Sequence, residues 1–177
     1  MIQPTLHTDR LALRPYSLAD VADLVRLAGA REVARTTLRI PHPYHEQDAV
    51  DFIASSQAEA DVGACARFAV TLRGDGQFCG GVGLRIEAAH QHAELGYWLG
   101  VPYWGRGYAT EAARAVVDYG FETLGLHRVY ASCFAHNEAS ARVLKKIGMR
   151  YEGCQQSHIR KWETFHDLEM YGMVKIG

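Results

Sequence analysis

The sequence predicts an α/β (α+β) fold with one mixed, mostly antiparallel central sheet and helices on both of its faces. Three observations support this prediction. Runs with strand periodicity alternate with helical runs in only part of the chain, so an all-parallel sheet is not expected. Two hairpins are indicated, one around Gly74-Asp75-Gly76 and one near the C-terminus. Residues 93–124 place a strand directly before a long amphipathic helix.

Length and composition favour a single globular domain and argue against several classes of protein. The chain has 177 residues, 48% of them hydrophobic, which favours a single domain over residues 1–177. Lys and Arg total 19 against 20 Asp and Glu, so the sequence lacks the basic excess typical of nucleic-acid-binding proteins. No apolar run approaches the ~20 residues of a membrane span, and the N-terminal stretch lacks the apolar segment of a secretory signal. We therefore expect a cytoplasmic protein that binds neither nucleic acid nor membrane.

A strand and a helix begin the chain. Leu11 and Leu13 alternate in a strand that Pro15 ends, and Ser17 followed by Asp20 resembles a capping box at the start of the first helix. The buried stripe of this helix is predicted to contain five apolar residues, Leu18, Val21, Ala22, Val25 and Ala28.

A second helix and a hairpin follow. A loop over residues 29–45 leads to a helix over roughly residues 46–60 that buries Phe52 and Ile53. The Gly74-Asp75-Gly76 turn separates two alternating runs, with Phe68, Val70 and Leu72 in the first and Val82, Leu84 and Ile86 in the second. Gly80-Gly81 indicates a β-bulge in the second strand.

The stretch over residues 93–124 organises the rest of the chain. Residues 93–101 alternate as a strand that Pro102 ends, and Gly105-Arg106-Gly107 then forms a tight turn. From Ala109 onward, apolar residues recur at helical spacing on one face, and Gly125 lies where a helix C-cap is expected. Such a turn aims several backbone N–H groups at one point in front of a helix dipole, which is typical of a phosphate site.

The glycine turn alone is weak evidence, because a strand-to-helix turn that only needs positive φ would look the same. No Gly-Lys-Ser/Thr follows, so the turn is not a P-loop, and the absence of G-x-G-x-x-G argues against a Rossmann site.

The remaining chain adds a strand, a short helix and a final hairpin. Residues 129–134 alternate as a strand, and Asn137 is a good N-cap for a helix that ends at Gly148. Two last strands are indicated, one from Tyr151 onward and one over residues 166–175. The loop between them is predicted to hold Arg160, Lys161 and Trp162.

These motifs resemble the acetyl-CoA core of the GNAT N-acetyltransferases. The resemblance is carried by AELGYWL at residues 93–99, YWGRGYATEA at 103–112, NEAS at 137–140 and VLKKIGM at 143–149. It is nearest to the RimJ/RimL-like branch, the ribosomal-protein alanine N-acetyltransferases, and it extends over nearly the whole chain. The wider family often has Gln or Arg where Trp104 stands, but this branch shares the difference.

The resemblance implies a fold and a set of cofactor contacts. The strands at 93–101 and 129–134 would splay apart, and the pantetheine arm of acetyl-CoA would lie in the gap. The residues assigned to the cofactor are Trp98, Leu99, Val101, Gly105, Arg106, Gly107, Tyr108, Ala109, Thr110 and Asn137. Arg106 would pair with phosphate, or else be solvated. The Asn137 amide has both a donor and an acceptor, so it could cap its helix and also meet pantetheine.

Glu94 and Ser140 are the candidate catalytic residues. Acetylation of an amine by a thioester needs loss of the ammonium proton, donors for the oxyanion and a proton donor for the leaving thiolate. Glu94 is a carboxylate among apolar and glycine residues, so it is the candidate base, acting directly or through water, unless it is solvated or paired with an arginine. The family often has a base in this strand.

Ser140 heads the apolar stripe of its helix, so its hydroxyl should point inward and serve as the proton donor. Many GNAT enzymes have a tyrosine near this position, whereas the branch has a serine. The alternative is a first-turn serine bonded to backbone. Four nearby aromatic residues are predicted to be packing residues, Tyr97, Tyr103, Trp104 and Tyr108.

No metal and no covalent intermediate are expected. The cysteines form no C-x-x-C pair, and Cys133 has no base at a recognisable spacing, so an acyl-cysteine is not favoured. His90-x-His92 lies in a polar loop without an accompanying ligand pattern.

The expected activity is acetyl transfer from acetyl-CoA to a primary amine of a small molecule or peptide, by direct attack in a ternary complex. A CoA-binding sensor or scaffold without turnover, and an acyl-CoA enzyme with a non-amine acceptor, are the alternatives. Homodimers are frequent in the family.

The candidate acceptors are a protein N-terminus, a polyamine, an amino-sugar antibiotic and a free amino acid. In the family, the loop between the first two helices and the final hairpin loop frame the acceptor groove. Here they contain the cations Arg31, Arg35, Arg39, Arg160 and Lys161 and the acids Glu32 and Glu163. The excess of positive charge predicts that peptide or amino-acid-like amines are better acceptors than spermidine. These arginines could instead be solvated or bind the CoA phosphates.

Overall fold

One eight-stranded sheet runs through the molecule, in the order β1-β2-β3-β4-β5-β6-β8-β7. The computed structural model describes residues 3–175, so the first two residues of the N-terminal stretch lie outside it. The strands are β1 (Leu6–His7), β2 (Leu11–Arg14), β3 (Cys65–Leu72), β4 (Phe78–Glu87), β5 (His92–Leu99), β6 (Arg128–Phe134), β7 (Arg150–Lys161) and β8 (Thr164–Val174). The helices are α1 (Val21–Ala28), α2 (Arg31–Thr36), α3 (Glu46–Asp61), α4 (Tyr108–Glu122) and α5 (Glu138–Lys146).

The sheet is mixed and mostly antiparallel, which confirms the predicted fold class. Strands β5 and β6 pair in parallel, and the other neighbouring strands pair antiparallel. The predicted bulge is present, because Val70 pairs with Gly80 while Thr71 pairs with Phe78, which leaves Cys79 as the extra residue.

Both faces of the sheet are covered. Phe68 on β3 packs edge-on against Tyr119 of α4, with ring centroids 5.8 Å apart. On the opposite face, Tyr16 packs edge-on against Phe52 of α3 at 5.1 Å. Ile53 is fully buried, whereas Phe52 is only partly buried. These two aromatic contacts anchor a helical layer on each side.

The predicted buried stripe of the first helix is correct only in part. Ala28 is buried and Val21 and Val25 pack partly buried against the core, but Ala22 is exposed. Leu18 is 67% exposed, and the buried residues of α1 are Leu24, Leu27 and Ala28. The capping box is present, since the Ser17 N–H donates to the Asp20 carboxylate at 2.8 Å, but it begins a 3₁₀ turn over Leu18–Asp20. The α-helix starts only at Val21, so the turn shifts the phase of the stripe.

Three other boundaries differ from the prediction. The expected loop over residues 29–45 contains α2, which buries Val33 and Ala34 and is too short to show helical periodicity. Strand β5 ends at Leu99, because Pro102 lies in a 3₁₀ turn over Val101–Tyr103. The residues expected in the final hairpin loop, Arg160 and Lys161, belong to β7, and the turn consists of Trp162 and Glu163 in left-handed conformation.

Candidate active site

Strands β5 and β6 separate in the middle of the sheet. Their parallel ladder consists of His92 with Arg128, Ala93 with Val129 and Glu94 with Tyr130. Beyond these pairs β5 continues along β4 as far as Leu99, and β6 continues along β8 as far as Phe134. The predicted splayed gap therefore opens after Glu94.

A glycine turn lies at the start of α4. Gly105 has φ of 72° and Gly107 has φ of 81°, a conformation that side-chain-bearing residues rarely adopt. Gly107 is the N-cap of α4 and its carbonyl accepts from Glu111 N at 3.1 Å. The N–H groups of the first turn, from Tyr108 to Thr110, precede that bond and are available to an anion. The turn therefore fits a phosphate group of a coenzyme.

Arg10 braces this turn and was not predicted. Its Nη1 donates to the Arg106 carbonyl at 3.0 Å, and its Nε donates to Glu111 Oε2 at 2.7 Å. Thr8 Oγ1 also donates to Glu111, at 2.6 Å. Burial alone would raise the pKa of Glu111, but the bonds from Thr8 and Arg10 outweigh it and lower that pKa. The Arg106 side chain is exposed.

Backbone groups at the end of β5 already make hydrogen bonds within the protein. Trp104 Nε1 donates to the Leu99 carbonyl at 2.7 Å, which leaves that carbonyl one remaining lone pair for a ligand. Val101 is 39% exposed and belongs to the 3₁₀ turn, so its backbone would be presented by a turn and not by a strand. Trp98 packs its side chain against Phe78, with centroids 6.1 Å apart, and it pairs with Gly81 of β4.

Asn137 joins two helices. Its Oδ1 accepts from Ser140 N at 3.1 Å, which confirms the predicted N-cap of α5. Its Nδ2 donates to the carbonyl of Thr36, the last residue of α2, at 3.2 Å. Both ends of the amide are therefore engaged within the protein, and α5 is fixed relative to α2.

Ser140 contacts β5 across the gap. Its Oγ lies 2.7 Å from the hydroxyl oxygen of Tyr97, and the Tyr97 hydroxyl is also 3.2 Å from the Ser140 carbonyl. Burial raises the pKa of Tyr97, so its hydroxyl remains protonated at neutral pH. Tyr97, predicted as a packing residue, thus has a polar role as well.

Glu94 is paired with two arginines. Arg39 Nη2 and Arg85 Nη2 each lie 2.7 Å from the same oxygen, Oε2 of Glu94. The Glu94 side chain is 13% exposed, while those of Arg39 and Arg85 are 62% and 53% exposed. The arginine partner considered for Glu94 from the sequence is therefore present. No described residue donates a side-chain hydrogen bond to Oε1, which leaves that oxygen available to a ligand.

Glu94 and Tyr97 approach the gap from opposite faces of the sheet. Side chains alternate along a strand, and these two residues are separated by an odd number of positions. Tyr97 meets α5, whereas Glu94 meets Arg39 in the segment after α2. Glu94 and Ser140 are thus presented to the gap from its two faces.

The C-terminal hairpin covers the segment after α2. Lys161 Nζ donates to the carbonyls of Thr37 and Ile40, the latter at 3.1 Å, and burial lowers the pKa of this lysine. The ring of Trp162 lies 5.6 Å from the Arg31 guanidinium and 6.1 Å from the His42 ring. The two regions expected to frame the acceptor groove are therefore in contact.

A histidine pair lies beside this groove and was not predicted. The rings of His136 and His166 are 5.4 Å apart, and each packs on Phe134 at the end of β6. Burial is the main cause that lowers the pKa of His136, the neighbouring His166 lowers it further, and a hydrogen bond with the Arg35 backbone opposes the shift. The two histidines are thirty positions apart in the sequence, so no local motif could have identified them.

Metal-ligating side chains are dispersed within the described residues, and Cys133 lies in a buried environment. Within residues 3–175, no three His, Cys, Asp or Glu side chains converge as a metal site. Cys133 is buried, and burial raises its pKa to about 11, which disfavours the nucleophilic thiolate.

Among the described helices, none is both long and apolar enough to cross a membrane.

The sequence is similar to those of known acetyltransferases. The family model described as the acetyltransferase (GNAT) domain matches residues 10–150. The uncharacterized N-acetyltransferase YoaA of Bacillus subtilis (strain 168) is 32% identical over 173 residues, which cover 97% of this chain and 97% of YoaA. The spermidine N(1)-acetyltransferase of Escherichia coli (strain K12) is 30% identical over 153 residues, which cover 85% of this chain and 77% of that enzyme.

Two solved structures share the fold. A GNAT-family acetyltransferase from Bacillus anthracis has a TM-score of 0.86 at 26% identity, covering 97% of this chain and 98% of that chain. RimL, a ribosomal-protein acetyltransferase in complex with coenzyme A, has a TM-score of 0.89, with the same coverage, and its 18% identity limits the likeness to the fold. From the family match and the near full-length relatives, we conclude that the chain belongs to the GNAT acetyltransferase family.

Proposed function

We propose that this protein transfers an acetyl group from acetyl-CoA to a primary amine by direct attack in a ternary complex, as one domain over residues 1–177. The observation that supports this most directly is the gap between β5 and β6, with Glu94 on one side and Ser140 on the other. Acetyl-CoA supplies the activated acyl group. The glycine turn at α4 would hold its phosphates, and the backbone of Trp98, Leu99 and Val101 would border its pantetheine arm.

Side chains of the protein would accept the proton of the amine and stabilise the leaving sulfur. Oε1 of Glu94 is available to accept a hydrogen bond from the ammonium group and to take its proton, directly or through water. The Ser140 hydroxyl lies on the other face, where it can donate a hydrogen bond to the leaving sulfur. Arg39 and Arg85 keep Glu94 oriented by binding its other oxygen.

Among amines, we propose that peptide N-termini and amino-acid-like amines are preferred. The guanidinium groups of Arg31 and Arg35 are exposed on the walls of the groove. The cluster of Arg39, Arg85 and Glu94 carries a net charge of +1, because two arginines pair with one carboxylate. A polycation would meet like charge there, whereas a carboxylate near the amine would be attracted. The spermidine acetyltransferase among the relatives makes spermidine the natural comparison.

The test is an acceptor screen that measures thiol release from acetyl-CoA, with and without an amine panel that includes peptides and spermidine. Amine-dependent release is expected, with an N-acetylated product of the matching mass. A CoA-binding scaffold would bind the coenzyme and release no thiol under any condition. An enzyme with a non-amine acceptor would release thiol without forming any N-acetyl product, and either result would overturn the proposal.

A further inference from the structure

The contact between Tyr97 and Ser140 links the two sides of the gap. Tyr97 belongs to β5 and Ser140 to the first turn of α5, 43 residues further along the chain, and their hydroxyl oxygens are 2.7 Å apart. The Asn137 cap fixes the backbone of Ser140, because Asn137 Oδ1 accepts from its N–H. The serine side chain can therefore turn only about its own χ1 and hydroxyl torsions. Its hydroxyl contacts the Tyr97 hydroxyl and also lies near the Cys133 thiol.

The two hydroxyls share few hydrogens, so their arrangement matters. The Tyr97 hydroxyl has one hydrogen, which it can donate to Ser140 Oγ at 2.7 Å or to the Ser140 carbonyl at 3.2 Å. If it donates to the carbonyl, Ser140 donates its own hydrogen to Tyr97. If it donates to Oγ, the hydrogen of Ser140 is left for a third partner.

A hydrogen-bond acceptor in the gap would favour the arrangement in which Tyr97 donates to Ser140 Oγ. A sulfur that gains negative charge accepts a hydrogen bond more strongly than a neutral phenol oxygen does. The Ser140 hydrogen would then point to the sulfur while Tyr97 donates to Oγ from behind. Bonds in such a chain polarise one another, so the phenol also makes the serine a better donor.

We propose that Tyr97 is a positioning residue that directs the Ser140 hydroxyl toward the leaving sulfur, an inference that rests on the proposed acetyl transfer. In that reaction the C–N bond forms and the C–S bond breaks, with the electron pair remaining on sulfur. The ammonium proton leaves through Glu94 or water. Ser140 donates a hydrogen bond and Tyr97 keeps its proton throughout.

The experiment is a double-mutant cycle with Tyr97→Phe, Ser140→Ala and the double variant, measured in acetyl-CoA turnover with the best amine acceptor. Tyr97→Phe should lower kcat by about 10–100-fold, the effect of losing orientation of a reacting group. KM for acetyl-CoA should stay within about twofold, since the coenzyme contacts are elsewhere. In the Ser140→Ala background, Tyr97→Phe should have no further effect on kcat.

A structural role would give a different pattern. Tyr171→Phe is the matched control, because the Tyr171 hydroxyl also makes a 2.7 Å hydrogen bond, to Glu169, and the residue is buried whereas Tyr97 is partly buried. It should retain the wild-type kcat. Equal kcat for Tyr97→Phe and wild type would overturn the inference, as would equal losses in the presence and absence of Ser140. Wild-type protein without amine-dependent turnover would instead refute the proposed function.

Discussion

Glu94 and Tyr130 form the last cross-strand pair of the parallel ladder between β5 and β6. Beyond this pair, each strand turns an edge of N–H and C=O groups toward the gap. Such edges bind readily to other amide groups. A ligand that carries both amides and phosphates, as coenzyme A does, matches this edge together with the glycine turn of α4.

Binding of the coenzyme should therefore stabilise the folded protein. Acetyl-CoA or CoA at about a hundredfold over its Kd should add about 2.7 kcal/mol to the free energy of unfolding. Gly107→Val should abolish this protection, because the side chain would block the ligand and strain a residue with φ of 81°. The measurement is the melting temperature with and without ligand.

Gly125→Val is the matched control for that variant. Gly125 also has positive φ, of 69°, and lies beyond the C-terminal end of α4, away from the turn. Both variants should lose some stability, but Gly125→Val should keep the full ligand-induced shift. An unchanged melting temperature of the wild type with both CoA and acetyl-CoA would contradict the acetyltransferase proposal.

Glu94→Gln should slow the reaction. Loss of the proton acceptor should lower kcat/KM by about 10²–10⁴-fold, with the CoA-induced shift in melting temperature nearly unchanged. The loss should shrink as pH rises toward the pKa of the amine, near ~10, because more of the amine is then already deprotonated. The pH dependence of kcat/KM for both enzymes tests this expectation.

Glu152→Gln is a suitable control, because Glu152 also pairs with an arginine, Arg128, but lies on β7. It should leave kcat/KM close to wild type. If Glu94→Gln retained near wild-type kcat/KM at neutral pH, Glu94 would not be the base, and its pairing with Arg39 and Arg85 would be structural.

Acceptor preference should depend on ionic strength. An Ala- or Ser-initiated acidic peptide should exceed spermidine in kcat/KM at low salt, and the advantage should fall as salt screens the groove. Arg39→Gln should reduce the peptide advantage, whereas Arg73→Gln, whose side chain donates to the Thr8 carbonyl, should not. A preference for spermidine at low salt would show that acids from elsewhere line the groove.

Acid should destabilise the protein through Asp20. Its side chain is 4% exposed and pairs with Arg14 at 2.6 Å. Burial alone would raise the pKa of Asp20, but the bonds from Arg14 and Ser17 outweigh it and lower that pKa. A folded pKa below the unfolded value means that the stabilisation is complete above the unfolded pKa, near ~4, and is lost as pH falls through the folded pKa.

Asp20→Asn should therefore cost about 2–3 kcal/mol at neutral pH, less than a fully buried pair because Arg14 is partly exposed. It should also flatten the pH dependence of stability below about pH 4. Asp23→Asn, which breaks the exposed pair with Arg26, should cost less than about 1 kcal/mol. Urea denaturation at several pH values measures both, and equal costs would contradict the assignment.

Features encoded by local patterns were predictable from the sequence. The positive φ of Gly107 follows from a glycine between a strand and a helix, and the cap at Asn137 follows from its place before the apolar stripe of α5. The sheet class followed from hairpin turns and periodicity. The stripe of the first helix was predicted only in part, because a 3₁₀ turn precedes α1 and periodicity alone does not reveal such a turn.

The rest depends on contacts between distant residues. Arg10 and Glu111 are 101 positions apart, and Arg39 and Glu94 are 55 apart. Pairing over such distances is set by strand order and not by local spacing. The contact of Tyr97 with Ser140 was missed for the same reason, since strand periodicity predicts which face Tyr97 occupies but not which hydroxyl it meets.

The contact of Lys161 with Thr37 has a consequence for the newborn chain. These residues are 124 positions apart, so a ribosome that adds about 5–20 residues per second separates their appearance by roughly 6–25 s. The glycine turn and α4 are synthesised within that interval, while the segment after α2 has no hairpin to cover it. The contact of the C-terminal hairpin with this segment thus forms last, and a chain arrested before β7 would leave the Thr37 and Ile40 carbonyls without their Lys161 donor.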